Sequence, residues 1–63
     1  MRIIARDTVD DFDVYLIEDS SYEYRIVGVN SKDSTYTIRL KGSKAYALNM
    51  FDDHINQEEE IHV

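Results

Sequence analysis

The chain has 63 residues, of which 43% are hydrophobic and 32% are charged, with a formal net charge of −6 and no cysteine. This length predicts one compact domain over residues 1–63, and the hydrophobic share predicts a packed core rather than disorder. The lack of cysteine excludes disulfides and thiolate metal clusters. The negative charge opposes direct binding to nucleic acid or to an anionic membrane, because the phosphate attraction that dominates such binding would be repulsive.

The N-terminal residues lack the apolar segment of a signal peptide, and no apolar run approaches the roughly 18 residues of a membrane span. We therefore expect a cytoplasmic protein.

Most of the chain alternates apolar and polar residues with the period of a β-strand. The alternation predicts strands over about 2–6, 12–18, 22–30 and 35–41. Polar turn sequences, DSS and NSKDS among them, separate the later strands. Short connections between consecutive strands favour an antiparallel meander.

The apolar face of each predicted strand indicates the register, because a slip by one residue would exchange the two faces of the strand. We expect Leu16 to pair with Tyr22, and Ile26 to pair with Ile38. The core face of the sheet then carries these apolar and aromatic residues: Phe12, Val14, Leu16, Tyr22, Tyr24, Ile26, Tyr36, Ile38 and Leu40.

The apolar period becomes helical near the end of the chain. Ser43 is a favourable N-cap, and we expect a helix over about 44–56 that packs on the core face of the sheet. Its predicted apolar stripe is Ala45, Leu48, Phe51 and Ile55, flanked by Tyr46 and Met50. Glutamates 58–60 are unfavourable at the negative end of a helix dipole, so residues 57–63 are predicted to be an acidic tail. The predicted fold is α+β, a four-stranded antiparallel meander with one C-terminal helix on one face.

Residues 7–23 carry seven carboxylates and no lysine or arginine. Six of these, all except Glu23, form the predicted partner-binding surface together with two acids of the predicted helix; it comprises Asp7, Asp10, Asp11, Asp13, Glu18, Asp19, Asp52 and Asp53. Duplex DNA carries one negative charge per roughly 1.7 Å of its axis, and carboxylates along one edge of a small protein approach that density. The predicted partner is the basic surface of a larger protein, a nucleic-acid-processing enzyme. The alternative is that these acids are solvated surface, neutralised by the basic segment that follows them.

Four residues remain on the outer face of the predicted sheet: Tyr15, Ile17, Val27 and Val29. A small monomer does not leave a large apolar patch bare, so this set is a predicted dimer or docking patch. The alternative is that they were selected for strand propensity alone. Edge pairing through residues 2–6 is a further route to association.

No residue pattern predicts catalysis, a cofactor or a metal ion. His54 and Glu58 have the spacing of one helix face, but a third ligand is not evident. Asp11 and Asp13 would serve as acid and base only in a cleft, for which so short a chain has little room.

A set of strand tyrosines near basic residues leaves single-strand nucleic-acid binding as a further alternative; the set is Tyr15, Tyr22, Tyr24 and Tyr36 with Arg25, Arg39 and Lys41. The predicted register directs most of these rings into the core, so we expect a packing role for them.

In size, acidity and lack of catalytic motifs, the chain is similar to small inhibitors of DNA-processing enzymes that phages and mobile elements encode. These include DNA mimics, anti-CRISPR proteins and other anti-defence proteins. The resemblance implies a non-enzymatic, protein-binding inhibitor that acts in the host cytoplasm by occluding a basic site. The alternative is a homodimeric structural or regulatory module without a nucleic-acid role.

Overall fold

The structure is a computed structural model that describes residues 1–32 and 34–60, with the backbone alone for 58–60. Four strands precede one helix: β1 (Arg2–Val9), β2 (Phe12–Ser20), β3 (Glu23–Asn30), β4 (Thr35–Lys41) and α1 (Lys44–Glu60). The strands form one antiparallel sheet in the order β1-β2-β3-β4. This architecture confirms the predicted α+β meander with a single C-terminal helix.

The β1–β2 hairpin is tighter than the sequence suggested. Val9 lies opposite Phe12, so only Asp10 and Asp11 form the turn. Asp10 adopts a φ of 54°, a conformation that aspartate tolerates better than most non-glycine residues. Because so short a turn suffices, residues 7–9 continue the ladder, and β1 extends beyond its predicted end at residue 6.

The β3–β4 register is as predicted, with Ile26 opposite Ile38. The predicted β2–β3 register is wrong by four residues, because Leu16 lies opposite Ile26 rather than opposite Tyr22. The cause is the turn: the ladder continues past an irregularity near Asp19 to Ser20, which lies opposite Glu23. A shift of four residues leaves every side chain on its predicted face, since the strand repeats every two residues.

The core lies between α1 and the helix-facing side of the sheet. Its buried members are Val9, Val14, Leu16, Tyr24, Ile26, Leu40, Ala47, Phe51 and Ile55. Two residues predicted to face the core are exposed. Tyr22 is 69% exposed because it forms the β2–β3 turn, and Ile38 is 38% exposed on β4. α1 packs on β1, β2 and β3 and contacts β4 less, which explains the exposure of Ile38.

The predicted N-cap of α1 is confirmed. The Ser43 Oγ accepts a hydrogen bond from the Tyr46 backbone N–H at 3.1 Å, and the Ser43 carbonyl accepts one from Ala47 N–H at 3.0 Å. The first bond satisfies one of the free amides in the first turn, and the second is the first i→i−4 bond of the helix.

The face of α1 that meets the sheet differs from the predicted stripe. Ala47, Phe51 and Ile55 are buried at a spacing of four residues, whereas Ala45 and Leu48 are exposed. Apolar residues occur on several sides of this helix, and only one of these sides packs against the sheet.

α1 also continues to Glu60 instead of ending near residue 56. Glutamine and glutamate are good helix formers, and here that propensity outweighs the unfavourable helix dipole. Residues 61–63 of the predicted acidic tail lie outside the described residues.

Candidate protein-binding surfaces

Half of the predicted acidic residues gather around the tip of the β1–β2 hairpin. We name this set the hairpin acidic cluster; it comprises Asp7, Asp10, Asp11 and Asp13. Asp7 lies opposite Val14 and thus on the helix-facing side, whereas Asp13 lies opposite Thr8 on the outer face. The cluster therefore surrounds the hairpin tip rather than following one face of the sheet.

Thr8 holds two carboxylates of this cluster in place. Its backbone N–H donates a hydrogen bond to Asp7 Oδ1 at 2.7 Å, and its hydroxyl donates one to Asp13 Oδ1 at 3.2 Å. Asp7, Asp11 and Asp13 form no ion pair with any residue that the structure describes. Asp7 and Asp11 are exposed, and Asp13 is half-buried.

Glu18 and Asp19 lie at the other end of β2 and are engaged by arginines. Arg2 Nη2 lies 3.1 Å from Glu18 Oε1. Arg25 donates two hydrogen bonds to Asp19, from Nε to Oδ2 at 2.7 Å and from Nη2 to Oδ1 at 2.9 Å. The hydrogen bonds from Arg25 lower the pKa of Asp19, and the same bonds raise the pKa of Arg25. At about 3.3 Å of rise per residue, these acids are roughly 20 Å from the hairpin tip.

Glu18 has a second neighbour on the helix-facing side. The Tyr24 hydroxyl lies 3.4 Å from Glu18 Oε2 and donates a hydrogen bond to it. Burial raises the pKa of Tyr24, and the Glu18 carboxylate raises it further. Tyr24 is therefore neutral at physiological pH and belongs to the core.

The two helix acids, Asp52 and Asp53, are both exposed, but they project in different directions because successive residues of an α-helix differ by about 100°. Asp53 borders a groove between α1 and β4. Asp52 accepts a hydrogen bond from Asn56 Nδ2 at 3.4 Å. The predicted acidic residues are thus distributed over three regions of the molecule.

The predicted outer patch (Tyr15, Ile17, Val27 and Val29) does lie on the sheet face away from α1. Tyr15 and Val27 are directly opposite each other, and all four members are partly buried by their neighbours. Arg6 places its guanidinium carbon 5.8 Å from the centre of the Tyr15 ring. No described element covers this face.

Ile3 also belongs beside the outer patch, where it lies opposite Ile17 and is 58% exposed. The sequence did not place Ile3 beside the outer patch, because the alternation of apolar and polar residues does not determine the register between β1 and β2.

A shallow groove of about 400 Å³ crosses the same outer face near the β2–β3 turn. Charged residues of both signs line it: Asp19, Glu23, Arg25, Arg39 and Lys41. Arg25 lies directly opposite Arg39, an unfavourable pairing of like charges that Asp19 compensates by binding Arg25. Tyr24 also lines this groove but is buried, and the Tyr36 hydroxyl lies 2.7 Å from His54 Nε2.

Within the described residues, no group of three or more histidine, cysteine or acidic side chains could hold a metal ion. None of the described helical residues forms a segment long and apolar enough to cross a membrane. Comparisons with models of known families, with curated proteins and with solved structures find no match to this chain.

Proposed function

We propose that this chain is a small, non-enzymatic inhibitor whose hairpin acidic cluster binds a basic site on a larger nucleic-acid-processing enzyme. One observation carries the proposal. Asp7, Asp11 and Asp13 surround one hairpin tip without a basic partner among the described residues, whereas Glu18 and Asp19 are each bound by an arginine.

Carboxylates gathered at one hairpin tip reinforce each other's negative potential. Neighbouring strands are about 4.8 Å apart, so carboxylates on β1 and β2 lie well within the Debye length of roughly 8 Å at physiological salt. Their potentials therefore add at the tip. A basic cleft would attract the tip from a distance, and association would be fast and sensitive to salt.

A nucleic-acid-binding cleft is the proposed target because it is adapted to dense negative charge. A compact protein that presents several carboxylates at one tip would compete with phosphates for the same arginines and lysines. The net charge of −6 supports this choice over a nucleic-acid ligand. The proposal places the chain with DNA mimics and with anti-CRISPR or other anti-defence inhibitors of phages and mobile elements, acting in the host cytoplasm.

The first test is a pull-down with tagged protein from a nuclease-treated bacterial lysate, washed at low and at moderate salt and analysed by mass spectrometry. We expect one stoichiometric nucleic-acid enzyme whose recovery falls as salt rises. Recovery of the bait alone would count against the proposal.

Charge reversal then locates the binding surface. The triple variant Asp10→Lys, Asp11→Lys and Asp13→Lys should weaken target binding by about a hundredfold or more. A matched control with the same change in net charge is Glu23→Lys, Asp52→Lys and Asp53→Lys, which leaves the tip intact. Equal losses in both triple variants would show that total charge, rather than the hairpin acidic cluster, determines binding.

A second candidate function is a homodimeric structural or regulatory module held by the outer patch. The observation that favours it is that no described element covers this face, where Tyr15 packs beside Val27. Val27→Lys should then produce a monomer or an insoluble protein. A wild-type protein that sediments as a monomer at high concentration would exclude this candidate.

A further inference from the structure

Among the described residues, β1 and β4 are the two edge strands of the sheet, and they differ in how well they could accept another strand. The β1–β2 ladder shifts register between Ile3 and Ala5, and β1 directs Asp7 to the helix-facing side. Irregularities and charges of this kind oppose pairing with a further strand. β4 has neither an irregularity nor a charge on the helix-facing side: its ladder with β3 is regular, it has no proline, and its two cations, Arg39 and Lys41, lie on the outer face.

α1 covers only part of the helix-facing side of β4. Ile38 is 38% exposed, and a groove of about 200 Å³ lies between β4 and the helix. Ile26, Ile38 and Met50 supply apolar surface to this groove, and His54 borders it. An apolar side chain at the middle of an open strand edge is therefore available for contact.

Ile38 is the central residue of β4, TYTIRLK, and residues at equal distances on either side of it have side chains that are compatible with each other. In an antiparallel pair of two copies centred on Ile38, Tyr36 would lie opposite Leu40, Thr37 opposite Arg39, and Thr35 opposite Lys41. Apolar residues then meet apolar residues on the helix-facing side, and hydroxyls meet cations on the outer side. Aligned pairs of this kind stabilise antiparallel sheets.

Other two-fold registers are worse. A register centred on Arg39 would place two arginines directly opposite each other, which is unfavourable. A register centred on Thr37 would place Leu40 and Lys41 opposite residues that precede β4, so fewer residues of the two strands would pair.

We propose that β4 pairs with β4 of a second copy of this chain, antiparallel and centred on Ile38. The two sheets then become one continuous sheet with both helices on the same face, and the Ile38 side chains of the two copies meet at the two-fold axis. Two copies of charge −6 repel each other, and Arg39 and Lys41 add like charges at this edge, but in the register centred on Ile38 each of these cations lies opposite a threonine and not opposite another cation.

This interface is distinct from the outer patch and from the hairpin acidic cluster, so it does not depend on the proposed function. Pairing of two seven-residue strands buries less surface than the 1,200 Å² or more typical of stable complexes. We therefore expect a reversible dimer with a dissociation constant on the order of 100 μM.

Single-cysteine cross-linking tests the register, because the natural chain has no cysteine. Only the residue on the two-fold axis lies opposite itself, at a Cβ separation of about 4.5–5.5 Å that a disulfide can bridge with small adjustment. Under mild oxidation, Ile38→Cys should give at least ten times more disulfide-linked dimer than Thr37→Cys, whose proposed neighbour is Arg39. Ile3→Cys, also exposed, is the control for the other edge.

Equal cross-linking of Ile38→Cys and either control would overturn the proposal, as would preferential cross-linking of Thr37→Cys. Circular dichroism of each reduced variant establishes that the fold is retained. Because Ile38 is only partly buried, cysteine should be tolerated there.

Sedimentation provides a second measurement without cysteine. The wild type should form a dimer at roughly 1 mM protein, and Ile38→Lys, which places like charges opposite each other, should sediment as a monomer. Val27→Lys alters the outer patch and should remain dimeric. A monomeric wild type, or a dimer abolished by Val27→Lys but not by Ile38→Lys, would refute pairing through β4.

Discussion

Replacement of Gly28 by alanine should destabilise the fold, because the side chain of Tyr36 lies across this glycine. Gly28 is directly opposite Tyr36 in the β3–β4 ladder. A Cβ atom at position 28 would lie 2.7 Å from the Tyr36 hydroxyl oxygen and nearer still to the ring. The ring has little freedom to move. Phe12 packs edge-on against it at 5.5 Å between centroids, and its hydroxyl lies 2.7 Å from His54 Nε2.

The expected size of the effect follows from three contributions. Overpacking costs about 1–3 kcal/mol, and loss of the Tyr36–His54 hydrogen bond costs about 1 kcal/mol. Removing a glycine from a strand returns about 0.5–1 kcal/mol. The net loss in the free energy of unfolding is about 2 kcal/mol, which corresponds to a fall in Tm of roughly 8–16 °C for a domain of this size.

Urea denaturation of four proteins measures this contact: wild type, Gly28→Ala, Tyr36→Leu and the double variant. In the Tyr36→Leu background the alanine should cost less than about 0.5 kcal/mol, since the atoms with which its Cβ collides are gone. A Gly28→Ala variant as stable as wild type would refute the reasoning. So would an alanine penalty of the same size in both backgrounds.

Three further substitutions probe the rest of the fold. Ser43→Ala removes the N-cap of α1 and should cost about 1 kcal/mol in urea denaturation; an unchanged midpoint would contradict the capping role. Leu16→Ala empties a fully buried site and should cost about 2–5 kcal/mol in the same assay, and a cost below 1 kcal/mol would contradict the packing described. Arg25 lowers the pKa of Asp19 below its ordinary value of 3.8, so the charged carboxylate stabilises the fold above that pH, and this contribution is lost as pH falls through the lower folded-state pKa. Asp19→Asn should therefore be less stable than wild type at pH 7, and the difference should shrink in acid; a difference that does not change with pH would contradict the pairing.

The strands were predictable because apolar residues recur at every second position, on a face that is buried in β2 and β3 and only partly buried in β4. TYTIRLK and FDVYLIE show this period, and the structure contains both strands. The β2–β3 register was not predictable in the same way. Displacement by an even number of residues keeps the same residues in the core, so hydrophobic pattern cannot distinguish the two registers. The turn distinguishes them, because the ladder extends to Ser20 and leaves Tyr22 in the connection.

The packing face of α1 was ambiguous for a related reason. Tyr46, Ala47 and Leu48 are consecutive apolar residues, so the helix has no single apolar stripe. Which side packs depends on where α1 lies above the sheet. The small Ala47 is buried, whereas the larger Leu48 is exposed. Periodicity alone favoured Leu48, since it reports hydrophobicity but not the separation between helix and strands.

The candidate site shows a similar division. The abundance of acid in residues 7–23 is evident from the sequence, but which carboxylates are neutralised is not. Asp19 meets Arg25 because Arg25 lies opposite Ile17, two residues before Asp19, and Glu18 meets Arg2 because β1 pairs with β2 in the observed register. These pairings separate Glu18 and Asp19 from Asp7, Asp11 and Asp13, which form no ion pair with any described residue.

The two proposed interfaces lie at opposite edges of the sheet, and this arrangement makes them compatible. The hairpin acidic cluster belongs to β1 and β2, and β4 lies two strand spacings, or about 10 Å, beyond β2. In the proposed dimer the strands of the two copies run antiparallel, so the two hairpin tips would point toward opposite ends of the continuous sheet. Their separation would exceed the Debye length several times over, so their mutual repulsion would be largely screened. Dimerisation through β4 would thus leave both acidic tips open to basic partners.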